Sequence, residues 1–180
     1  MGRFLNPDNS AFQVALNSEI YVDKTGLLEY TNRVMGTKQG YICNSRPRRF
    51  GKSITADMLT AYYSRGCSSR EMFEKLNIGK STDFLEHLNR YDVIHLDIQW
   101  FLANCEDKNK VVQFITKSVL DELREIYPEC LVLQDGSLSD ALSRVKNQTG
   151  QKFVIIIDEW DVLIRDEAQN QAVQENYINF

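Results

Sequence analysis

Phe153-Val154-Ile155-Ile156-Ile157 places five consecutive apolar residues, four of them β-branched, directly before Asp158-Glu159. A half-wet strand alternates apolar and polar residues, so an unbroken run of this kind fits a strand of a parallel sheet covered on both faces. Such sheets need helical crossovers between strands, which restricts the chain to an α/β architecture. The two carboxylates then fall at the strand's C-terminal end, the edge where open α/β sheets bind ligands.

The rest of the chain supplies the alternation that this strand requires. Residues 1–36 form a lead-in with helical segments, including a short helix at Leu27-Leu28-Glu29-Tyr30 after Asp23-Lys24-Thr25-Gly26. Gly40-Tyr41-Ile42-Cys43 is β-prone and meets a basic, proline-containing loop, after which Ile54, Met58, Leu59, Tyr62 and Tyr63 recur at helical spacing. The order is strand, loop, helix, with Gly66 as the helix stop. Short helices are expected around Gly79, followed by a second buried strand over Asp92-Val93-Ile94-His95-Leu96-Asp97-Ile98. Val112, Ile115, Val119, Leu123 and Ile126 then form the apolar stripe of a long helix that Pro128 ends. Ser137 with Asp140 resembles a capping box before a helix that closes at Gly150.

The loop between the first predicted strand and helix reads Arg46-Pro47-Arg48-Arg49-Phe50-Gly51-Lys52-Ser53. A helix N-terminus offers unpaired N–H groups and the positive end of the helix dipole, which together favour phosphate. Gly51 allows close backbone approach, Lys52 reaches the β- and γ-phosphates as a point charge, and the Ser53 hydroxyl ligates Mg²⁺. The usual GxxxxGK[ST] pattern has glycine where this chain has Arg46, and Pro47 has no N–H to donate. Arg48 or Arg49 can offset that loss by charge-assisted contacts to phosphate, or both are simply solvated. Phe50 and Ile54 flank the Gly-Lys-Ser core and complete the predicted nucleotide-binding segment. In a P-loop enzyme a second strand, here about one hundred residues later, carries an aspartate for the Mg²⁺ shell. Asp158 fits that role, and Glu159 fits a general base acting on the attacking water. Its alternative is an ordinary solvated strand end.

Composition removes several other classes. The formal charge of −4 gives no basic field for nucleic acid or anionic membrane. Arg46, Arg48, Arg49 and Lys52 alone make a small nucleic-acid footprint. No apolar run approaches the roughly 20 residues that span a bilayer. Cys43, Cys67, Cys105 and Cys130 contain no CxxC pair and follow no secretory segment, so reduced core thiols in a cytoplasmic protein are expected. The 180 residues suit one globular domain.

Tyr21-Val22-Asp23-Lys24-Thr25, the Ser45 to Ser53 string and Asp158-Glu159-Trp160-Asp161, in that order, resemble the AAA-ATPase-like family of bacterial proteins. Phe73 to Leu96, with its Phe-x-x-Leu-x-Ile opening, is similar to that family's middle segment. The resemblance implies an AAA- or STAND-like P-loop NTPase, a three-layer sandwich with a mostly parallel sheet, in which ATP and Mg²⁺ are bound. It also implies that Asp158 positions Mg²⁺ and that Glu159 activates water. Many such proteins carry a nuclease-like module of the PD-(D/E)xK type, and this chain stops before that module and before the strand bearing a sensor residue. An incomplete sheet, self-association through exposed strand edges and doubtful turnover by this chain alone are the resulting expectations. ATP rather than GTP rests on the resemblance, together with the lack of an NKxD motif.

Two functions follow. The first is an ATP-Mg²⁺-binding domain whose hydrolysis, in the complete protein, drives a conformational switch. The second is a regulatory or interaction module that holds nucleotide without turning it over. Asp23, Lys24 and Thr25 either line the nucleotide pocket or form a helix-start cluster with Asp23 capping. Asp97 is a solvated strand end or a polar group near the site, and Asp161 either contacts the active site or, the safer reading, caps the helix that begins near Val162. Arg165 is read as a surface arginine before a trans-acting finger, His95 as a satisfied structural histidine, and His87 has no metal-partner spacing. Trp100 and Phe101 are core or interface residues.

Overall fold

A computed structural model of the chain describes residues 2–45, 47, 50–131 and 136–180. Arg46, Arg48 and Arg49, and with them the predicted arginine contacts to phosphate, lie outside the described residues. The fold is mixed α/β, with a small parallel sheet of two strands. The chain divides into two compact units, one of residues 6–93 and one of residues 2–5 and 94–180.

The first unit contains α1 (Ser10–Leu16), α2 (Gly26–Val34), α3 (Lys52–Tyr63), α4 (Arg70–Phe73) and α5 (Phe84–His87), with a 3-10 turn at Asn77–Lys80. Its core is aromatic. Phe12 of α1 stacks on Phe73 with ring centroids 5.1 Å apart, and Tyr62 meets Phe73 edge-on at 5.3 Å. Tyr62 and Tyr63 are fully buried at the end of α3, so their hydroxyls need partners. Asn32 of α2 supplies both, donating to the Tyr62 hydroxyl at 3.1 Å and accepting from Tyr63 at 2.8 Å. Tyr62 passes its own proton to the Phe84 carbonyl at 2.8 Å. This network fixes α3, and therefore the direction in which its N-terminus points within the unit.

α3 spans the helical periodicity read from sequence, but its stop differs. Ser64 turns extended at ψ 121° and forms an isolated parallel bridge with Tyr91, so the chain leaves the helix two residues before Gly66. The predicted strand over Gly40–Cys43 is not formed. Among the described residues it takes no part in the sheet, and Tyr41 is 95% exposed. β-propensity expresses packing on a half-buried pleated surface, and Tyr41 and Ile42 have no such surface to pack on.

The second unit is built around β1 (Asp92–Asp97), which begins in the first unit, and β2 (Phe153–Asp158). It also holds α6 (Ile98–Asn104), α7 (Val111–Ile126), α8 (Leu138–Thr149), α9 (Val162–Asp166) and α10 (Gln171–Ile178). β1 ends one residue earlier than the apolar run suggests, because Asp97 accepts from the Trp100 amide at 3.1 Å and caps α6, which turns Ile98 into the helix. In α7 the buried stripe is Val111, Ile115, Val119, Leu120 and Leu123, with Val112 and Ile126 only partly covered. The predicted capping at Ser137 is present, its hydroxyl accepting from the Asp140 amide, and Gly150 ends α8 in the left-handed region. The segment Gly2–Leu5 joins this core. Glu122 of α7 accepts from the amides of Arg3, Phe4 and Leu5 at 2.7–2.9 Å, and Phe4 stacks on Phe101 at 4.8 Å. The Arg3 guanidinium covers the Trp100 ring at 3.7 Å. All four cysteines are free, and Cys43 is exposed rather than in the core.

Candidate functional site

Gly51, Lys52, Ser53 and Ile54 form the entry to α3. Gly51 is its N-cap, at φ 74° and ψ 37°. That left-handed conformation is open to glycine at little cost and strains other residues. A Cβ at Gly51 would also lie 3.0 Å from Lys24 Nζ. The glycine therefore meets a torsional requirement, while the nearby Lys24 ammonium sits at the end of a flexible side chain. α3 begins properly behind it, with the Gly51 carbonyl accepting from the Thr55 amide at 3.0 Å and from the Thr55 hydroxyl at 2.9 Å.

The N-cap contributes no side-chain cap to the first turn. The first amides of a helix have no intrahelical acceptor, so the Lys52 and Ser53 N–H groups open α3 with the helix dipole behind them. Lys52 is half-buried, whereas Ser53 and Ile54 are exposed. Phe50 is 59% exposed, and its amide donates to the Pro47 carbonyl at 3.4 Å. Together these residues make an anion-receptive helix start carrying one ammonium and one hydroxyl.

Asp23, Lys24 and Thr25 stand beside this helix start. Thr25 is the N-cap of α2, but no side chain caps that helix. Asp23 instead accepts from the Thr25 amide at 2.8 Å and hydroxyl at 2.7 Å, and its other oxygen accepts from the Asn77 amide at 2.8 Å. Burial acts to raise the Asp23 pKa, but these hydrogen bonds outweigh it and hold the carboxyl below its ordinary value. Lys24 donates to the Phe50 carbonyl at 2.9 Å. Sequence reasoning missed this contact; the cue was a lysine between two turn-forming polar residues.

In the second unit, Asp158 closes β2 and Glu159 follows at φ 49°, a left-handed conformation rare outside glycine. The Glu159 amide donates to Asp158 Oδ1 at 2.9 Å, and both side chains are half-buried. His95 of β1 feels the Asp158 and Asp97 charges, but burial dominates and moves its pKa below the ordinary value, which favours the neutral ring. Asp161 occupies the N-cap of α9 without capping it. It pairs with Arg165 at 3.2 Å, and Arg165 also pairs with Asp166 at 3.2 Å. β2 is less covered than its apolar sequence suggests, Ile155 being 52% and Ile157 45% exposed.

Among the described residues, no group of three or more His, Cys, Asp or Glu is arranged to hold a metal ion. Ser53 in the first unit presents a hydroxyl and Asp158 in the second a carboxylate, each an oxygen group of the kind Mg²⁺ takes. Among the described residues, no helix is long and apolar enough to cross a membrane.

A helix opening on Gly-Lys-Ser and a parallel strand ending in Asp-Glu are features that P-loop NTPases also have. The chain belongs to the AAA-ATPase-like family, described as predicted AAA-ATPase, whose model matches residues 10–180. No curated protein and no solved structure matches it.

Proposed function

We propose that the chain binds ATP with Mg²⁺ at the start of α3, within a P-loop NTPase sandwich, and that the terminal phosphate is hydrolysed there. The observation that carries this reading is the left-handed Gly51 N-cap followed by Lys52 and Ser53. The free amides of the first turn receive phosphate oxygens, Lys52 neutralises β- and γ-phosphate charge, and Phe50 and Ile54 border the loop. Arg48 and Arg49 add charge-assisted contacts to phosphate. Ser53 and Asp158 are the residues that would hold Mg²⁺, which supplies neutralisation of the phosphate charge when bound.

Glu159 is assigned as general base. It takes a proton from water as the water oxygen bonds to the γ-phosphorus, and the β–γ bridging bond breaks toward ADP. The left-handed backbone at Glu159 supports this assignment, since strained torsions gather where a side chain must be aimed.

The test is a titration of the chain with ATP and Mg²⁺ beside Lys52→Ala, following binding heat and released phosphate together. Saturable binding that the variant loses is expected. Absence of binding by folded wild-type chain would remove the nucleotide assignment.

A further inference from the structure

Lys24 reaches the phosphate loop from a different stretch of the first unit. Its ammonium donates to the Phe50 carbonyl at 2.9 Å and lies 3.0 Å from where a Gly51 Cβ would be. In a trans peptide the C=O and the following N–H point in opposite directions, and among the described residues no peptide is cis. Holding the Phe50 oxygen toward Lys24 therefore turns the Gly51 N–H to the opposite side. Gly51 is the first of the successive amides that lead into α3.

Lys24 is itself held on both flanks. Asp23 binds the Asn77 amide at 2.8 Å, and the Thr25 hydroxyl accepts from the Ile78 amide at 3.1 Å. Thr25 is fully buried and Lys24 half-buried. The lysine thus projects from a segment fastened to the Asn77–Lys80 turn and makes its bond to Phe50 at the surface.

We propose that Lys24 is a positioning residue of the phosphate loop, holding the Phe50–Gly51 peptide so that the amides before α3 are kept available to phosphate. The ligand in this proposal rests on the ATP assignment; the orientation of the peptide does not. Lys24 acts through Gly51 and its neighbours and need not touch the nucleotide.

The experiment compares wild type, Lys24→Met, Lys24→Arg and Lys52→Ala, all as the full chain. Amide hydrogen exchange of the peptide covering Phe50–Ile54 is measured without nucleotide, with α2 as an internal control, and each protein is titrated with ATP and Mg²⁺. Lys24→Met should raise exchange at Phe50–Ile54 and weaken ATP roughly tenfold, the scale of one lost charge-assisted hydrogen bond. Exchange in α2 should stay unchanged. Lys24→Arg should restore both readouts to within about threefold, since a guanidinium can still donate to the carbonyl. Lys52→Ala should lose ATP while leaving loop exchange at the wild-type rate.

Wild-type exchange in Lys24→Met, or no rescue by Lys24→Arg, would overturn the proposal. If Lys24→Met also exchanges quickly through α2, Lys24→Gln replaces it under the same criteria. Failure of wild type to bind ATP removes the nucleotide assignment alone, because the exchange comparison still decides the role of Lys24.

Discussion

The Glu159 amide donates to Asp158 Oδ1 at 2.9 Å, while Glu159 itself adopts φ 49°. The same turn that fixes the aspartate breaks the strand's alternation at the glutamate. A non-glycine residue in this region carries a strain on the order of 1 kcal/mol. Glu159→Gly should therefore raise the unfolding free energy by up to about 1 kcal/mol while lowering any phosphate release by roughly a hundredfold or more. Glu159→Gln should lose release equally without the gain in stability, and both should still bind ATP. Thermal unfolding and a phosphate assay read the two effects. A destabilised glycine variant would show that the turn stores no strain, and undiminished release would place the base elsewhere.

Gly51 and Gly150 offer a matched pair, at φ 74° and 71°. A Cβ at Gly150 would meet nothing within 4 Å, whereas one at Gly51 would crowd Lys24 Nζ. Alanine at either position should cost about 1 kcal/mol or somewhat more in stability. Only Gly51→Ala should also weaken ATP, by more than about tenfold, because it distorts the loop as well as the torsion. Equal ATP affinities for the two variants would detach Gly51 from ligand binding.

Local periodicity carried most of what the sequence disclosed. α3, α7, α8 and both strands follow from apolar spacing and caps that act over a few residues. Gly40–Cys43 failed because a strand needs a neighbour, and no residue within the segment reports whether one is present. Asp97 was legible as a strand end but not as the cap of α6, since the following Ile98 prolongs the apolar run. Within the candidate site, Gly51, Lys52 and Ser53 were legible from their order alone. The Lys24 to Phe50 hydrogen bond spans 26 positions, and it depends on Asp23 and Thr25 being tied to a turn more than fifty residues further along. No spacing rule in the sequence encodes that fastening.

Asp92 is fully buried at the start of β1, where it accepts from Arg65 Nε at 2.8 Å and Asn6 Nδ2 at 2.6 Å. Removing the arginine takes a charge-assisted hydrogen bond away from a buried carboxylate. The Arg65 side chain retains 32% exposure, so solvent screens part of the pair. Arg65→Met should accordingly destabilise by about 2–3 kcal/mol, toward the low end for a broken buried pair. Adding Asp92→Asn should recover part of that loss, because the buried side chain is then no longer charged. Urea unfolding of both single variants and the double variant measures the coupling. Strict additivity would mean that Arg65 and Asp92 are not energetically coupled.

Tyr62 has no exposed surface, and burial pushes its pKa from 10.0 up to about 12; burial also raises that of Tyr63. The sign of the stability effect follows from proton counting. Above pH 10 an unfolded chain releases these phenolic protons while the native chain retains them, so native protein binds more protons and stability falls as pH rises. The contribution is complete below pH 10 and is progressively lost as the pH climbs through the native Tyr62 value. Tyrosinate absorbance from Tyr62 and Tyr63 should therefore appear only together with loss of helical circular dichroism. Tyr63→Phe should flatten the alkaline decline, although it lowers stability at neutral pH by about 1 kcal/mol through the lost hydrogen bond to Asn32. Ionisation of Tyr62 and Tyr63 near pH 10, with the helical signal intact, would contradict the sealed α2–α3 network that orients α3 within its unit.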